Sequence, residues 1–184
     1  MSERRVLAPL RRVSTDVLEV GYYETCSAEH DTVLFPHNFP YDIHSYVDVA
    51  PLLADSGFRG VVPRRAAKAF ADPDDTDVVL HRYRHRLGSA PGAEEYAGLE
   101  ARLGELPAVT VPAVTLDGSL PATDGSSTAR HCTGPRLHRK VAGAGHNLPQ
   151  EHPEAFAAAV RDARVLRQEN AGHDRLAGRR QDTT

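Results

Sequence analysis

Residues 141–160, VAGAGHNLPQEHPEAFAAAV, set a histidine where an enzyme would hold a catalytic imidazole. A short apolar run ends in small residues, His146 follows, and a helix-forming stretch begins. On a loop fixed from both sides by rigid elements, such a ring can act as a general base. It then needs a nucleophile to serve and an acid to orient it. Cys26 and Cys132 are the thiol candidates, but neither lies in a glycine-flanked turn or beside a helix start that would favour the thiolate. Both read as buried or inert thiols. Ser126 and Ser127, in DGSSTA, suit helix capping better than attack on a carbonyl.

The ten histidines invite a metal reading. His81 and His85 stand four apart on one helical face, a spacing that could supply two ligands. No HExxH glutamate accompanies them, and Arg82, Arg84 and Arg86 crowd the same stretch with positive charge. HRYRHR therefore reads as a solvated basic face, with neither a metal nor a cofactor implied. Nucleic acid is not expected as a partner, since the chain carries a net charge of −3 and its basic stretch is isolated.

The elements that must position His146 come from hydrophobic periodicity. VLEVGYYE (17–24) alternates as a strand, and TVLF (32–35) reads as a strand buried on both faces. IHSYVDVAPLLADSG follows helical spacing, with Pro51 kinking it or marking a fresh start and Gly57 beyond its end. GVVP (60–63) is the next buried strand, so strand, helix and strand imply a parallel βαβ unit. Two polar helices follow. One places Leu80, Tyr83 and Leu87 on one face, with Asp77 as N-cap and Gly88 as stop; the other carries Tyr96, Leu99 and Leu103. AVTL (113–116) and HRKVA (138–142) are further strands, and a closing helix starts near Pro153. The 184 residues divide as an N-terminal arm (1–12), an α/β half (13–63), connecting helices (64–106), a second α/β half (107–167) and a tail (168–184). Arm and tail lack apolar periodicity and are expected to be disordered. The start lacks the apolar stretch of about 7–15 residues that marks a signal peptide, and no run reaches membrane-spanning length. A cytoplasmic protein is expected.

In this order the segments TVLFPHNFPYDIHSYVDVAPLLADSGFRGVVP, VPAVTLDGSLPATDG and HRKVAGAGHNLPQEHPEAF resemble the α/β-hydrolase family, in its epoxide-hydrolase-like and dehalogenase-like branch. His37-Asn38-Phe39-Pro40 matches the family's His-Gly-x-Pro turn, with asparagine in place of glycine. The resemblance implies that the backbone N–H of Phe39 contributes to an oxyanion hole and that His146 occupies the position of the catalytic base. It implies an acid in the loop after residue 116, where Asp117 and Asp124 are both candidates. The family's Gly-x-x-Asp is replaced there by Gly118-Ser119-Leu120-Pro121. It also places Tyr83 where the family's cap meets substrate, although packing on the Leu80–Leu87 face accounts for a tyrosine equally well.

Between these blocks the family requires a strand, an elbow of the form Gly-x-Ser-x-Gly or Gly-x-Asp-x-Gly, and a helix. No such pentapeptide occurs in the chain. The fold expected is thus α/β: a truncated α/β hydrolase, mostly parallel, with helices on both faces and a remnant of the helical cap over 64–106. An internal deletion with its junction near Pro63–Arg64 is expected as the simplest account. The strand near 32–35 should then lie parallel to that near 113–116 in one sheet, closing the gap directly or nearly so. A hydrolase of ester or epoxide-type small molecules by descent, it is expected to turn over little or nothing. The alternative is a non-catalytic binding or interaction protein, or a decayed gene product, with self-association through exposed strand edges.

Overall fold

The computed structural model describes residues 9–16, 19–26, 29–37, 41, 43–63, 73–119 and 125–181, with side chains through 172 in the last of these segments. The chain forms two compact units, one from Met1–Arg64 with Val109–Thr184 and one from Arg65–Ala108.

In the first unit, β1 (Leu10–Ser14), β2 (Glu19–Thr25), β3 (Asp31–Leu34) and β4 (Phe58–Pro63) form a sheet of order β1-β2-β4-β3. β1 and β4 flank β2 antiparallel, while β3 runs parallel to β4 with Val33 opposite Gly60. Between β3 and β4 the chain makes a 3₁₀ turn, Ile43–Tyr46, and helix α1, Val49–Ala54. Pro51 lies in the first turn of α1, where its missing N–H costs no hydrogen bond, so it marks a fresh start. Gly57 ends the segment at φ +74°, a conformation that suits glycine.

Alternation along β4 buries Phe58, Gly60 and Val62 on one face. Onto that face pack Phe35, Tyr46, Val49, Ala50 and Leu53, and the core closes only with Ala157, Phe156 and Val160 of α6 (Pro153–Gln181). A Cβ on Gly60 would stand 2.7 Å from Thr25 Oγ1 and 3.1 Å from the Phe35 ring, so glycine makes room for the threonine hydroxyl and for that ring. Arginines at every third position of α6 complete the attachment. Arg161 donates to Ser56 Oγ at 3.3 Å, Arg164 lies 4.1 Å from the Phe58 ring centroid, and Arg167 bonds both carboxylate oxygens of Asp31 at 3.1 Å. The Glu24 carboxylate is held between Arg11 at 2.5 Å and Arg59.

The same unit contains a second sheet, the parallel pair β5 (Ala113–Asp117) and β6 (Arg136–Lys140). Arg139 pairs with Asp162 of α6 at 2.7 Å. Arg136 donates to Thr128 Oγ1 of α4 (Ser126–Ala129) at 3.2 Å and to Gly125 O at 3.0 Å. Helix α5 (Leu148–Glu151) leads into α6.

Several expectations need correction. β3 and β5 do not pair; they stand in separate sheets. Helix α6 packs against β5 and against the core of the first sheet. β3 is consequently an edge strand and not buried on both faces: Leu34 is 61% exposed. The arm enters the fold earlier than expected, because pairing with β2 draws Leu10–Arg12 into β1, reinforced by an Arg12–Glu19 ion pair. The tail does not begin at 168 either. Strong helix formers such as Arg, Gln, Glu and Ala carry α6 on to Gln181. β6 ends two residues early, at a turn where Gly143 has φ +79°.

The second unit holds α2 (Asp75–Arg86), a 3₁₀ turn at Glu94–Tyr96 and α3 (Ala97–Gly104). The N-cap of α2 is Asp74 and not Asp77, and Gly88 follows its end at φ +73°. The Leu80–Tyr83–Leu87 face does not form a buried core: among the described residues none of α2 or α3 is buried, and Leu87 is 80% exposed. Two short helices are too small to enclose a core of their own.

Candidate functional site

The loop from β6 to α5 carries His146 and is held at four points. Ser119, just past β5, donates its N–H to Ala144 O at 2.7 Å and accepts the Gly143 N–H on Oγ at 2.7 Å. Gly118 permits this approach, since a Cβ there would lie 2.6 Å from Ala144 O. The Glu151 carboxylate reaches back from α5 and accepts the N–H groups on either side of the histidine, Gly145 at 2.5 Å and Asn147 at 3.0 Å. Asn147 is buried, and its Nδ2 donates to the buried Ser45 Oγ at 3.1 Å and to Gln150 Oε1 at 2.7 Å. That bond joins the turn after β3 to the histidine loop across 102 residues of sequence.

The ring itself is exposed and faces Tyr41, with centroids 5.6 Å apart and planes inclined at 41°. Among the described residues no serine, cysteine or aspartate hydrogen bonds the imidazole. The backbone is thus fixed as a catalytic loop would require, while the ring is offered to whatever enters from solvent. Such a group can take a proton from a bound molecule or water, but among the described residues no serine, cysteine or aspartate is bonded to it to be activated for covalent attack.

The remaining sequence candidates fall as follows. His37 is placed at the end of β3, with Nε2 3.1 Å from Pro63 O, so the turn is tied to the end of β4. Just before it, Tyr46 donates its hydroxyl to Pro36 O at 2.7 Å; burial raises the pKa of this tyrosine. Phe39 and Asp124 lie outside the described residues. Asp117, at the end of β5, has Oδ2 3.8 Å from Nε2 of His138, whose Nδ1 is 3.0 Å from Thr115 Oγ1. Tyr83 is on the exposed face of α2, in the other unit.

Cys26 is exposed, at φ +65°, with Sγ 3.8 Å from Ala54 O, so of the two alternatives, buried or inert, burial does not hold for this thiol; Cys132 is half-buried. The strand ends before Cys26, and a left-handed residue there turns its side chain outward. Ser126 opens α4, but the N-cap is Gly125 at φ +71°, whose side a serine could not take without strain. The described residues contain no cluster of three metal-ligating side chains.

Sequence reasoning missed Tyr41, Ser45, Asn147 and Glu151. A local signal exists for one of them, because Asn147 is a favoured N-cap residue type directly before a helix start. Nothing local marks Ser45, whose partner is distant in sequence.

No protein-family model matches the chain, and no curated protein does. Solved structures do. A proposed epoxide hydrolase from Klebsiella pneumoniae superposes with a TM-score of 0.76 at 21% identity, covering 88% of this chain and 99% of that one. This chain has an α/β-hydrolase-like fold. Epoxide Hydrolase A from Mycobacterium thermoresistibile has a TM-score of 0.56 at 14% identity, over 84% of this chain and 97% of the other. Cfl2 from Burkholderia cenocepacia gives 0.54 at 16%, over 83% and 94%. Within this α/β-hydrolase-like fold, the His146 loop follows the carboxyl end of β6 and His37 follows that of β3, the edge at which open α/β sheets place their sites. Among the described residues no helix is long and apolar enough to cross a membrane.

Proposed function

We propose that this protein is an α/β-hydrolase descendant, of the branch acting on ester or epoxide-type small molecules, that retains the base position and has lost hydrolytic turnover. The observation that carries the reading is the environment of His146. Its loop is fixed by Ser119, Glu151 and Asn147, yet its exposed ring meets Tyr41 and hydrogen bonds no serine, cysteine or aspartate among the described residues. The absence of any Gly-x-Ser-x-Gly or Gly-x-Asp-x-Gly sequence supports it. On this reading the backbone N–H of Phe39 is the remaining oxyanion donor, Asp117 or Asp124 the acid, and Tyr83 a vestige of substrate contact in a cap remnant. The deletion junction lies near Pro63–Arg64, and the protein acts in the cytoplasm without nucleic acid.

The test compares the purified protein with its His146→Ala variant on p-nitrophenyl esters and styrene oxide. Equal rates are expected, because the base has no nucleophile to serve; contaminating esterases would affect both preparations alike, so the comparison is between the two variants. A reproducible drop of about 10²-fold in the variant, the usual worth of a positioned general base, would overturn the proposal.

A second reading, a non-catalytic interaction protein, is favoured by the exposed Leu34 on the unpaired side of β3. Unpaired strand edges promote self-association. Light scattering across a concentration series tests the self-association it implies: a mass that stays at the 20.0 kDa of one chain rules that association out.

A further inference from the structure

The helical unit leaves its apolar faces uncovered. α2 has 12 residues and α3 has 8, and among the described residues none of either is buried. Helices this short draw most of their stability from an apolar face packed against something else. Each has such a face. Leu80, Tyr83 and Leu87 follow α2 at i, i+3, i+7, Tyr96, Leu99 and Leu103 follow α3 at the same spacing, and all six are 44–80% exposed. Within one chain the helices meet at a polar contact, His85 Nε2 to Glu100 Oε1 at 3.0 Å, and both stripes stay open to solvent.

Charge distinguishes what can cover them. α2 ends basic, with Arg84, His85 and Arg86 in its last turn, and starts with Asp75 and Asp77. The approach to α3 is acidic, with Glu94 and Glu95 in the 3₁₀ turn and Glu100 in the first helical turn, while Arg102 stands in the last. Laid antiparallel, the two stripes match: Leu87 on Tyr96, Tyr83 on Leu99 and Leu80 on Leu103. Arg84 and Arg86 then lie beside Glu94 and Glu95, and Arg102 beside the acidic start of α2, where Glu105 adds one like charge. A parallel arrangement would set acid against acid. One chain carries both halves of this match, so two chains close it twice about a two-fold axis. We propose that the helical unit is a self-association surface, on which α2 of one chain packs antiparallel on α3 of a second copy and the reverse. The inference rests on neither the catalytic reading nor the open edge of β3. Covering the six side chains would remove about 600 Å² from each chain, near the lower bound of specific interfaces, so the pair forms at micromolar concentration and dilute solutions hold single chains.

Sedimentation of the full chain from about 1 μM to about 1 mM provides the test. The mass is expected to rise from the 20.0 kDa of one chain toward twice that value. Leu99→Glu changes a position already exposed in the single chain, so it should keep the circular dichroism spectrum and weaken association by about a hundredfold. Leu34→Lys, on the edge of β3, should associate as the wild type does. Charge reversal tests the pairing itself. Arg84→Glu with Arg86→Glu in one chain, and Glu94→Arg with Glu95→Arg in another, should each stay single, because like charges then meet at both contacts. Mixed in equal amounts they should associate, since every basic end then faces an acidic one. A wild-type mass that stays at one chain throughout would overturn the proposal. So would a mixture that associates no better than its two components, or association that Leu34→Lys abolishes and Leu99→Glu does not.

Discussion

Replacing Asn147 by alanine tests whether the two halves of the site are held together by one buried hydrogen bond. The side chain donates to Ser45 Oγ at 3.1 Å and to Gln150 Oε1 at 2.7 Å, and both Ser45 and Asn147 are buried. A neutral hydrogen bond contributes about 1 kcal/mol net, whereas a buried group stripped of its partner costs about 1–3 kcal/mol. Asn147→Ala leaves the Ser45 hydroxyl without its donor, and Gln150 at the surface can turn to water, so a loss of about 1–2 kcal/mol is expected. Ser45→Ala should cost a similar amount, since one amide N–H of Asn147 then has no acceptor. The double variant should cost little more than either single one, giving a coupling of about 1 kcal/mol. The protein lacks tryptophan, so urea unfolding is followed by circular dichroism. With a urea slope of about 2 kcal/mol per molar, each single substitution should lower the midpoint by about 0.5–1 M. Additive single costs, agreeing within about 0.5 kcal/mol, would show that the two residues act separately and refute the bridge.

Other outcomes follow from burial and close approach. Leu53→Ala, at a fully buried core position, should cost about 2–5 kcal/mol, while Leu99→Ala on exposed α3 should stay within about 0.5 kcal/mol by the same urea assay. Gly118→Ala would drive a methyl group into Ala144 O, so it should cost about 1–3 kcal/mol and displace the His146 ring signals in the NMR spectrum, which a remote alanine substitution would not do. Burial raises the pKa of Tyr46, so the folded state holds this proton more firmly than the unfolded chain. Its contribution is complete below the ordinary tyrosine range and is lost as pH rises beyond about 10; Tyr46→Phe should flatten the alkaline decline of stability in pH-dependent unfolding.

Much of the scaffold was legible because periodicity reports burial wherever an element has a partner. The alternation through Phe58–Val62, the helix after Pro51, and the glycines at 57 and 88 all register locally determined geometry. The strands at 32–35 and 113–116 also appear in their places, but not their pairing. An apolar stretch such as TVLF carries the same signal whether its neighbour is present or missing, so Leu34 reads as buried and stands exposed. Tyr83 and Leu87 mislead for the same reason. In the site, His146 was visible from its glycine-flanked setting before a helix. The residues that fix it were less so: Ser45 meets Asn147 only through tertiary folding, and Glu151 acts on backbone N–H groups, which leave no mark on side-chain pattern.

The placement of α6 has a consequence for biosynthesis. The first sheet, complete by Pro63, obtains the last wall of its core from Phe156, Ala157 and Val160 near the other end of the chain. During translation the strands and α1 therefore emerge with one flank uncovered, and remain so until more than ninety further residues have been made, a count set by the span from Pro63 to Ala157. Long-range closure of this kind is slow and leaves apolar surface open to other chains in the interval. Yield in a cell would accordingly depend on chaperone capacity while the ribosome is still at work, whatever the stability of the finished protein.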